Sequence, residues 1–251
     1  MTIGEFIDEV RSPDLTVTVL NRESLRPVYD MLAQFFEPMS VTVREAEIDV
    51  DAPTDAVVLH DGERPLAVSP LEAVRDSVLV VNADIYATGA RPLDEVATPE
   101  VITELGSVRI PGERENKFVL IQVSRHVEAM AWQAGGGELH ASFQRLSRLT
   151  GERGTRRVYR RLGELPVDVH VYGVPDAEVP PGLDVTVHGG RGDEIRDAWF
   201  VLHDGAGNDG WKAGLVAEQV GGNTYRGFWT FDAERVDALI EYVTRTYPPT
   251  G

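Results

Sequence analysis

A strand–helix–strand pattern between residues 139 and 172 sets the narrowest limits on the fold. Apolar and polar residues alternate over 139–144 and again over 167–172, which is typical of strands with two different faces. The segment 155–162 between them has the spacing of a helix. Because two strands joined by a helix normally lie side by side and parallel, the pattern predicts a βαβ unit with a right-handed crossover.

The rest of the second half adds strands and helices around this unit. A long helix is predicted over 116–134, ended by three glycines, and a final helix begins after Asp232 as N-cap. Short links of hairpin length predict that the run from 183 to 231 is antiparallel. Its predicted strands are 183–188, 198–203, 212–219 and 224–231. The fold class is therefore α/β, with a mixed parallel/antiparallel sheet flanked by helices.

The first half carries a similar alternation of elements. A short helix near residues 3–10, helices over 23–36 and 71–81, and strands over 15–20, 41–48, 56–60 and 65–69 are predicted. A connector rich in glycine and proline follows over 82–112, which predicts an N-terminal α/β half (1–108) and a second domain (109–251). The stretches VVLHDG at 57–62 and FVLHDG at 200–205 echo each other. Either the halves are two related α/β units, or a strand with an Asp-Gly turn has recurred by chance.

Charge limits the classes of partner. The 251 residues include 41 Asp and Glu against 24 Lys and Arg, for a formal net charge of −17, and only Lys117 and Lys212 are lysine. Sparse lysine with abundant carboxylates predicts adaptation to concentrated salt, where screening weakens self-repulsion. An acidic protein from a GC-rich genome is the alternative. Nucleic acid is excluded as a partner, because the overall positive charge that neutralises phosphates is missing.

The sequence also predicts where the protein works. No run approaches twenty apolar residues, and the first residues lack the basic and apolar regions of a signal peptide, so we expect a cytoplasmic protein without a membrane partner. The absence of cysteine excludes disulfides, thiolate metal sites and a cysteine nucleophile. No nucleophile-elbow, phosphate-loop or dinucleotide motif is present. We therefore predict no catalytic residue and can name no cofactor.

The histidines give no metal-binding motif, and no metal site is predicted. Two histidines precede Asp-Gly pairs, His60 and His203, and both are interpreted as parts of hairpin turns. His140 and His170 fall on the polar sides of the two strands of the βαβ unit. They can approach each other there, either as the wall of a binding pocket or as a half-buried polar layer.

Seven arginines lie between residues 145 and 161 of an otherwise acidic chain. On the predicted helix, like charges four residues apart repel each other, so the arginines need compensation. The protein's own carboxylates, an anion, or the face of a partner protein can supply it. The predicted partner-binding residues are Arg156, Arg157, Arg160 and Arg161.

Several motifs carry a resemblance to a known family. They are LHASFQRLS at 139–147, VHVYGVPD at 169–176, RDAWFV at 196–201 and GFWT at 227–230. Together with Tyr159 and the predicted helix 116–134, these motifs resemble the DICT sensory domain family, in the stand-alone form found in halophilic archaea. The resemblance is close over about 115–246 and looser over the first half.

The resemblance implies a non-enzymatic sensory or regulatory protein that binds a small molecule or a protein partner. The chain lacks the kinase, GGDEF, EAL and HD-type segments of fused members. The expected partner is therefore a separate signalling protein, such as a histidine kinase or another regulator. Two alternatives remain: an enzyme acting on an anionic metabolite, with the arginines as clamp and His140 or His170 as base, or an adaptor that only binds proteins.

Ligands of α/β sheets favour the carboxyl ends of parallel strands. This places candidate ligand-binding residues after each strand of the βαβ unit, with His140 and His170 as further wall residues. The candidates are Gln144, Arg145, Tyr172, Gly173 and Asp176. If Gln144 and Tyr172 bind one molecule, they must open into a common cavity. The alternative for residues 173–176 is a simple turn.

Overall fold

The computed structural model describes residues 1–10, 14–39, 41–48, 53–77, 99–105, 109–113 and 115–250. The strands in these ranges form two sheets. The elements of the first part are α1 (Ile3–Asp8), β1 (Thr16–Leu20), α2 (Arg26–Phe36), β2 (Thr42–Ala46), β3 (Ala56–His60), β4 (Pro65–Pro70), α3 (71–77) and α4 (Glu100–Thr103). The predicted helix 71–81 and connector 82–112 lie partly outside the described residues.

The second part begins with β5 (Arg109–Ile110), which pairs with the last strand of the larger sheet. The remaining elements are α5 (Lys117–Ala134), β6 (Gly137–Arg145), α6 (Leu146–Gly151), α7 (Arg153–Leu162), β7 (Val167–Val174), β8 (Thr186–Gly189), α8 (Asp193–Asp197), β9 (Ala198–Asp204), β10 (Lys212–Gly221), β11 (Thr224–Thr230) and α9 (Ala233–Thr246). The mixed sheets flanked by helices confirm the predicted α/β class.

The predicted βαβ unit is present. Strands β6 and β7 are parallel neighbours in the seven-stranded sheet, with Leu139 opposite Val169 and His140 opposite His170. Helices α6 and α7 form the crossover between them. Successive side chains of each strand point to opposite faces of the sheet. Leu139, Ala141 and Val169 therefore pack on the face covered by α5 and α7, whereas His140 lies on the other face.

One strand direction was predicted wrongly. β8 runs parallel to β7, with His170 opposite Thr186 and Tyr172 opposite His188, whereas the whole run from 183 to 231 was expected to be antiparallel. The irregular connection 175–185 carries the chain back along the sheet, so β8 starts at the same edge as β7. β10 is antiparallel to both of its neighbours, β9 and β11, as predicted.

The two sheets share a pattern of strands. The smaller sheet has the order β2-β1-β3-β4, and the larger contains β7-β6-β9-β10. In both, the first pair is parallel and the other two pairs are antiparallel. The echoed turns occupy matching places, since Gly62 and Gly205 follow β3 and β9 with positive φ angles of 94° and 77°. This correspondence of order and direction supports two related α/β halves.

Helix α1 is first in the chain but packs on the second sheet. Its Phe6 ring lies 5.6 Å from the ring of Tyr242 in α9, and both helices cover the face that carries Phe200 and Leu202. The other face is covered by α5, whose Val119, Leu120 and Val123 join a core shared with the smaller sheet. The division of the chain at residue 108 stays a prediction.

The glycine run after α5 positions β6. Gly135 ends the helix in the left-handed conformation (φ 65°), and Gly137 also has positive φ (78°). A side chain at Gly137 would collide with the carboxylate of Asp204, which accepts a hydrogen bond of 2.9 Å from the amide of Glu138. This contact joins the start of β6 to the end of β9.

Candidate functional site

A cleft of about 740 Å³ lies between α5, the ends of β6 and β9, and helices α6 and α7. Its volume is enough for a small-molecule ligand. Its lining residues are Lys117, Ile121, Ser124, Arg125, Glu128, Ala141, Ser142, Phe143, Gln144, Arg148, Gly151, Glu152, Arg153, Gly154, Thr155, Tyr159, Trp199, Val201 and Asn223.

A buried ionic group forms the inner part of the cleft. The Arg125 guanidinium lies 2.6 Å from the Glu128 carboxylate, and the Tyr159 hydroxyl donates a hydrogen bond of 3.0 Å to the same carboxylate. Glu128 is only 3% exposed. Burial and the neighbouring Glu128 raise the pKa of Tyr159 well above its usual range, so its proton stays on the hydroxyl. A buried, hydrogen-bonded charge pair gives the cleft a fixed polar floor.

The charge of the cleft is opposite to that of the protein. Four cationic side chains line it, against the two carboxylates of Glu128 and Glu152, in a chain of net charge −17. The cations are Lys117, Arg125, Arg148 and Arg153. A focused positive potential of this kind attracts anionic small molecules.

Aromatic rings form the apolar walls. Phe143 and Tyr159 meet edge to face with centroids 5.1 Å apart. The Trp199 indole donates a hydrogen bond of 3.1 Å to the Ser124 hydroxyl, which fixes the ring beside α5. Flat apolar walls combined with a few polar groups are typical of small-molecule sites.

Gln144 reaches the cleft through a bulge in β6. The pairing of β6 with β7 shifts between Ser142 and Arg145, and Gln144 has a φ of 62°. Its amide donates hydrogen bonds of 3.0 Å to the backbone oxygen of Asp197 and to Gln219, and Arg148 donates to its oxygen. A bulge re-aims a side chain that regular alternation would direct elsewhere.

Tyr172 does not share this cleft. It is fully buried on the opposite face of the sheet, stacked on His188 with centroids 4.2 Å apart. The expected adjacency of the two strands holds, but the expected common cavity of Gln144 and Tyr172 does not form. The reason is the bulge, because it turns Gln144 towards the cleft while Tyr172 keeps the alternation of β7.

The remaining strand-end candidates meet at a structured corner. Arg145 lies 3.6 Å from the carboxylate of Asp176, which accepts hydrogen bonds of 2.9 and 2.8 Å from the amide and hydroxyl of Ser147. These bonds to Ser147 lower the pKa of Asp176. A Cβ at Gly173 would meet the backbone of Gln144 and Arg145 at 3.4 Å. Asp176 thus holds the first turn of α6. None of these three predicted ligand-binding residues, Arg145, Gly173 and Asp176, lines the cleft.

His140 and His170 do come together, on the face opposite the cleft. Their rings stack with centroids 4.5 Å apart and planes 14° from parallel. Burial, reinforced by His170 and His188, lowers the pKa of His140 to about 3, so it is neutral at physiological pH. The enzyme alternative needed one of these histidines beside the arginines of α7, but the sheet separates the two groups.

The arginines of α7 lie outside the cleft, except for Arg153. Arg157 and Arg160 are exposed, and Arg156 and Arg161 are half-buried. Among the described residues, Arg156, Arg160 and Arg161 form no ion pair. The sequence left open whether the protein's own carboxylates offset the repulsion between these arginines. For Arg156, Arg160 and Arg161 no such ion pair is seen among the described residues.

Sequence patterns did not reveal the inner residues of the cleft. Lys117, Ile121, Ser124, Arg125 and Glu128 follow the spacing of one helix face. A polar stripe on a helix otherwise rich in apolar residues was the available signal. It could not be interpreted without knowing that this face meets β6 and α7.

A comparison with models of known protein families gives one match. Residues 111–219, somewhat less than half of the chain, match a family of sensory domains found in signalling proteins. The family is DICT, described as "Sensory domain in DIguanylate Cyclases and Two-component system". The match confirms the resemblance predicted from the motifs, and it contains α5 to β9 and most of β10, which carry all the cleft residues but Asn223.

Other comparisons are weaker. No curated protein matches the chain. Among solved structures, polyphosphate kinase from Porphyromonas gingivalis aligns with 95% of this chain and 44% of its own, at 8% identity and a TM-score of 0.34. The chain thus spans less than half of that protein, and the likeness carries no argument about fold or function. No described helix has the length and apolar character needed to cross a membrane.

Proposed function

We propose that this chain is a non-enzymatic sensor that binds an anionic small molecule with a flat apolar ring in the cleft between α5, β6 and α7. The observation that carries the proposal is the combination of four cationic side chains with aromatic walls in one cleft of an acidic chain. Cations hold the anionic group, and Phe143, Tyr159 and Trp199 provide apolar surface for a ring. The assignment of residues 111–219 to a sensory-domain family supports such a role.

Helix α7 provides a route from the ligand to a partner. Arg153 and Tyr159 of this helix line the cleft, while Arg156, Arg160 and Arg161 lie outside it without an ion pair among the described residues. A ligand that moves α7 therefore moves the arginine face. We propose that this face binds an acidic surface of a separate signalling protein, such as a histidine kinase or another regulator.

Gln144 belongs to the proposed site, because it lies in the cleft and its amide is held by Asp197, Gln219 and Arg148. Arg145, Gly173 and Asp176 contribute by fixing the corner that follows the bulge. The carboxylate excess and the scarcity of lysine support a cytoplasmic protein of a salt-rich cell. The matching strand orders support our proposal that 1–108 and 109–251 are two related α/β halves, with α1 of the first half packed on the sheet of the second.

The proposal is tested by calorimetric titration with matched pairs of probes. Benzoate and AMP are anionic and carry a ring, and benzamide and adenosine are their uncharged counterparts. We expect at least one anionic probe to bind and its neutral counterpart to bind at least tenfold more weakly. The reverse preference, or no binding by any of the four, would contradict the proposed ligand class.

Variants locate the binding. Arg148→Gln and Arg153→Gln remove cations of the cleft, and Arg245→Gln removes a cation of α9, far from it. Binding of the anionic probe should weaken at least fivefold in the first two variants and stay unchanged in the third. Equal effects in all three would mean that general attraction, and not the cleft, holds the probe.

A further inference from the structure

Four side chains form two cross-strand pairs near the beginning of β6 and β7. The register pairs Glu138 with Asp168 and His140 with His170. Since residues two apart on a strand point to the same side, all four side chains lie on the face of the sheet opposite the cleft. Each strand thus contributes one carboxylate and one imidazole to the same small area.

The potential ligand atoms of this group are close together. The Nε2 atom of His140 lies 3.1 Å from the carboxylate of Glu138, and the Nε2 atom of His170 lies 3.6 Å from the carboxylate of Asp168. Ligand atoms of Glu138, His140 and His170 all lie within 4.8 Å of one another. In a tetrahedral zinc site with bonds of about 2.0–2.1 Å, the ligand atoms are about 3.3 Å apart, so binding requires these three side chains to draw closer together. The Asp168 carboxylate, which lies nearest to His170, has to rotate towards them as the fourth ligand.

A chain of hydrogen bonds orients the ring of His170. The Nδ1 atom of His188 lies 2.6 Å from the backbone oxygen of Tyr247, which can only accept, so this nitrogen carries the proton. The other ring nitrogen of His188, Nε2, then remains as the acceptor. That atom lies 2.9 Å from Nδ1 of His170 and accepts a hydrogen bond from it.

The consequence is that the Nε2 atom of His170 faces the carboxylates. This atom is buried without a hydrogen-bond partner and lies 3.6 Å from the carboxylate of Asp168. A cation bound between the nitrogen and the carboxylates would give both a partner. On His140, the Nδ1 atom lies 2.8 Å from the Tyr172 hydroxyl, the kind of outer contact that orients a metal-binding imidazole.

We propose that Glu138, His140, Asp168 and His170 bind one divalent first-row transition-metal ion, with Zn²⁺ as the best match. Two imidazoles and two carboxylates suit this ion in tetrahedral geometry. Both carboxylates are largely exposed, which gives the ion a path from solvent. The site is independent of the proposed ligand cleft, because the two lie on opposite faces of β6.

The test is to titrate the metal-stripped full chain with ZnCl₂ and to measure binding by isothermal titration calorimetry. We expect one ion per chain and a loss of affinity of at least tenfold in Glu138→Gln/His170→Gln. The matched control, His60→Gln/Glu63→Gln, removes a histidine and a glutamate from the smaller sheet and should leave the affinity unchanged. Glu138→Gln and Asp168→Asn alone alter exposed side chains, so they test the site even if the double variant fails to fold.

Binding of Co²⁺ tests the coordination geometry of the proposed metal site. Addition of Co²⁺ to the wild-type chain should give the visible absorption of a tetrahedral ion, and Zn²⁺ should displace it. No binding at one equivalent would overturn the proposal. Binding that is weakened equally by both double variants would also overturn it, since that result describes loose attraction of cations to an acidic surface.

Discussion

The carboxylate of Glu128 lies 2.6 Å from the guanidinium of Arg125 at the floor of the cleft, and the hydroxyl of Tyr159 donates to the same carboxylate. The two charged residues are four-fifths or more buried. Their pairing matters for function, because it holds one cation of the proposed ligand site in place. It also makes the cleft sensitive to loss of either charge.

Replacement of Glu128 should therefore destabilise the fold. Glu128→Gln leaves Arg125 buried without its counter-charge, and we expect the free energy of unfolding to fall by about 3 kcal/mol. Urea unfolding measures this change. The matched control is Glu241→Gln, which breaks the exposed pair with Arg245 and should change the free energy by less than about 1 kcal/mol. A Glu128→Gln variant as stable as the control would mean that water solvates Arg125.

The arginine face should be dispensable for folding. In α7, Arg156 and Arg160 repel each other, and so do Arg157 and Arg161, each pair by a few tenths of a kcal/mol. We expect Arg160→Gln/Arg161→Gln to leave the free energy of unfolding unchanged or to raise it by less than about 1 kcal/mol. A loss of more than 2 kcal/mol, on the order of a buried charge pair, would show that these arginines stabilise the chain internally.

Acid should weaken the fold between pH 7 and pH 5. Burial lowers the pKa of His140 to about 3 and of His126 to about 4. The unfolded chain takes up these protons near pH 6.5 and the folded chain does not, so the free energy of unfolding falls as the pH drops through this range. The loss is about 2 kcal/mol per histidine at pH 5.

The variant His126→Gln checks this assignment. It removes one of the titrating groups and should reduce the slope of the free energy of unfolding against pH by about one proton. The measurement is urea unfolding in the presence of a chelator, so that metal binding at His140 does not contribute. An unchanged slope would mean that His126 takes up its proton in the folded state as well.

Salt should stabilise the protein. The Debye length falls from about 10 Å at 0.1 M to about 3 Å at 1 M, which weakens repulsion within a chain of net charge −17. We expect the melting temperature to rise with KCl concentration up to the molar range. A flat or falling curve would remove the proposed adaptation to concentrated salt.

Local patterns predicted the elements of the larger sheet well. The alternation around His140 and His170 gave the strands, and the crossover helix between them made the strands parallel neighbours. These signals are local, because a period of two or 3.6 residues is written in the sequence itself. The direction of β8 was not predictable in this way, since the connection 175–185 carries no periodic pattern that shows where it turns.

The site was predicted only in part. Gln144 was identified from its place at a strand end, but its direction depends on a bulge that alternation does not encode. Arg125 and Glu128 were missed because their role requires α5 to pack against β6 and α7. Such contacts between distant segments arise from tertiary packing, and no single-sequence pattern specifies them.

The most direct test of a ligand in the cleft is the indole signal of Trp199 in a ¹H–¹⁵N correlation spectrum. Trp199 lines the cleft and donates to Ser124, whereas Trp211 lies beyond the far end of β9. Titration with the tightest-binding anionic probe should shift the Trp199 signal and leave Trp211 in place, and Arg148→Gln should weaken the response. A shift of Trp211 without Trp199, or a Trp199 response unaffected by Arg148→Gln, would contradict binding in this cleft.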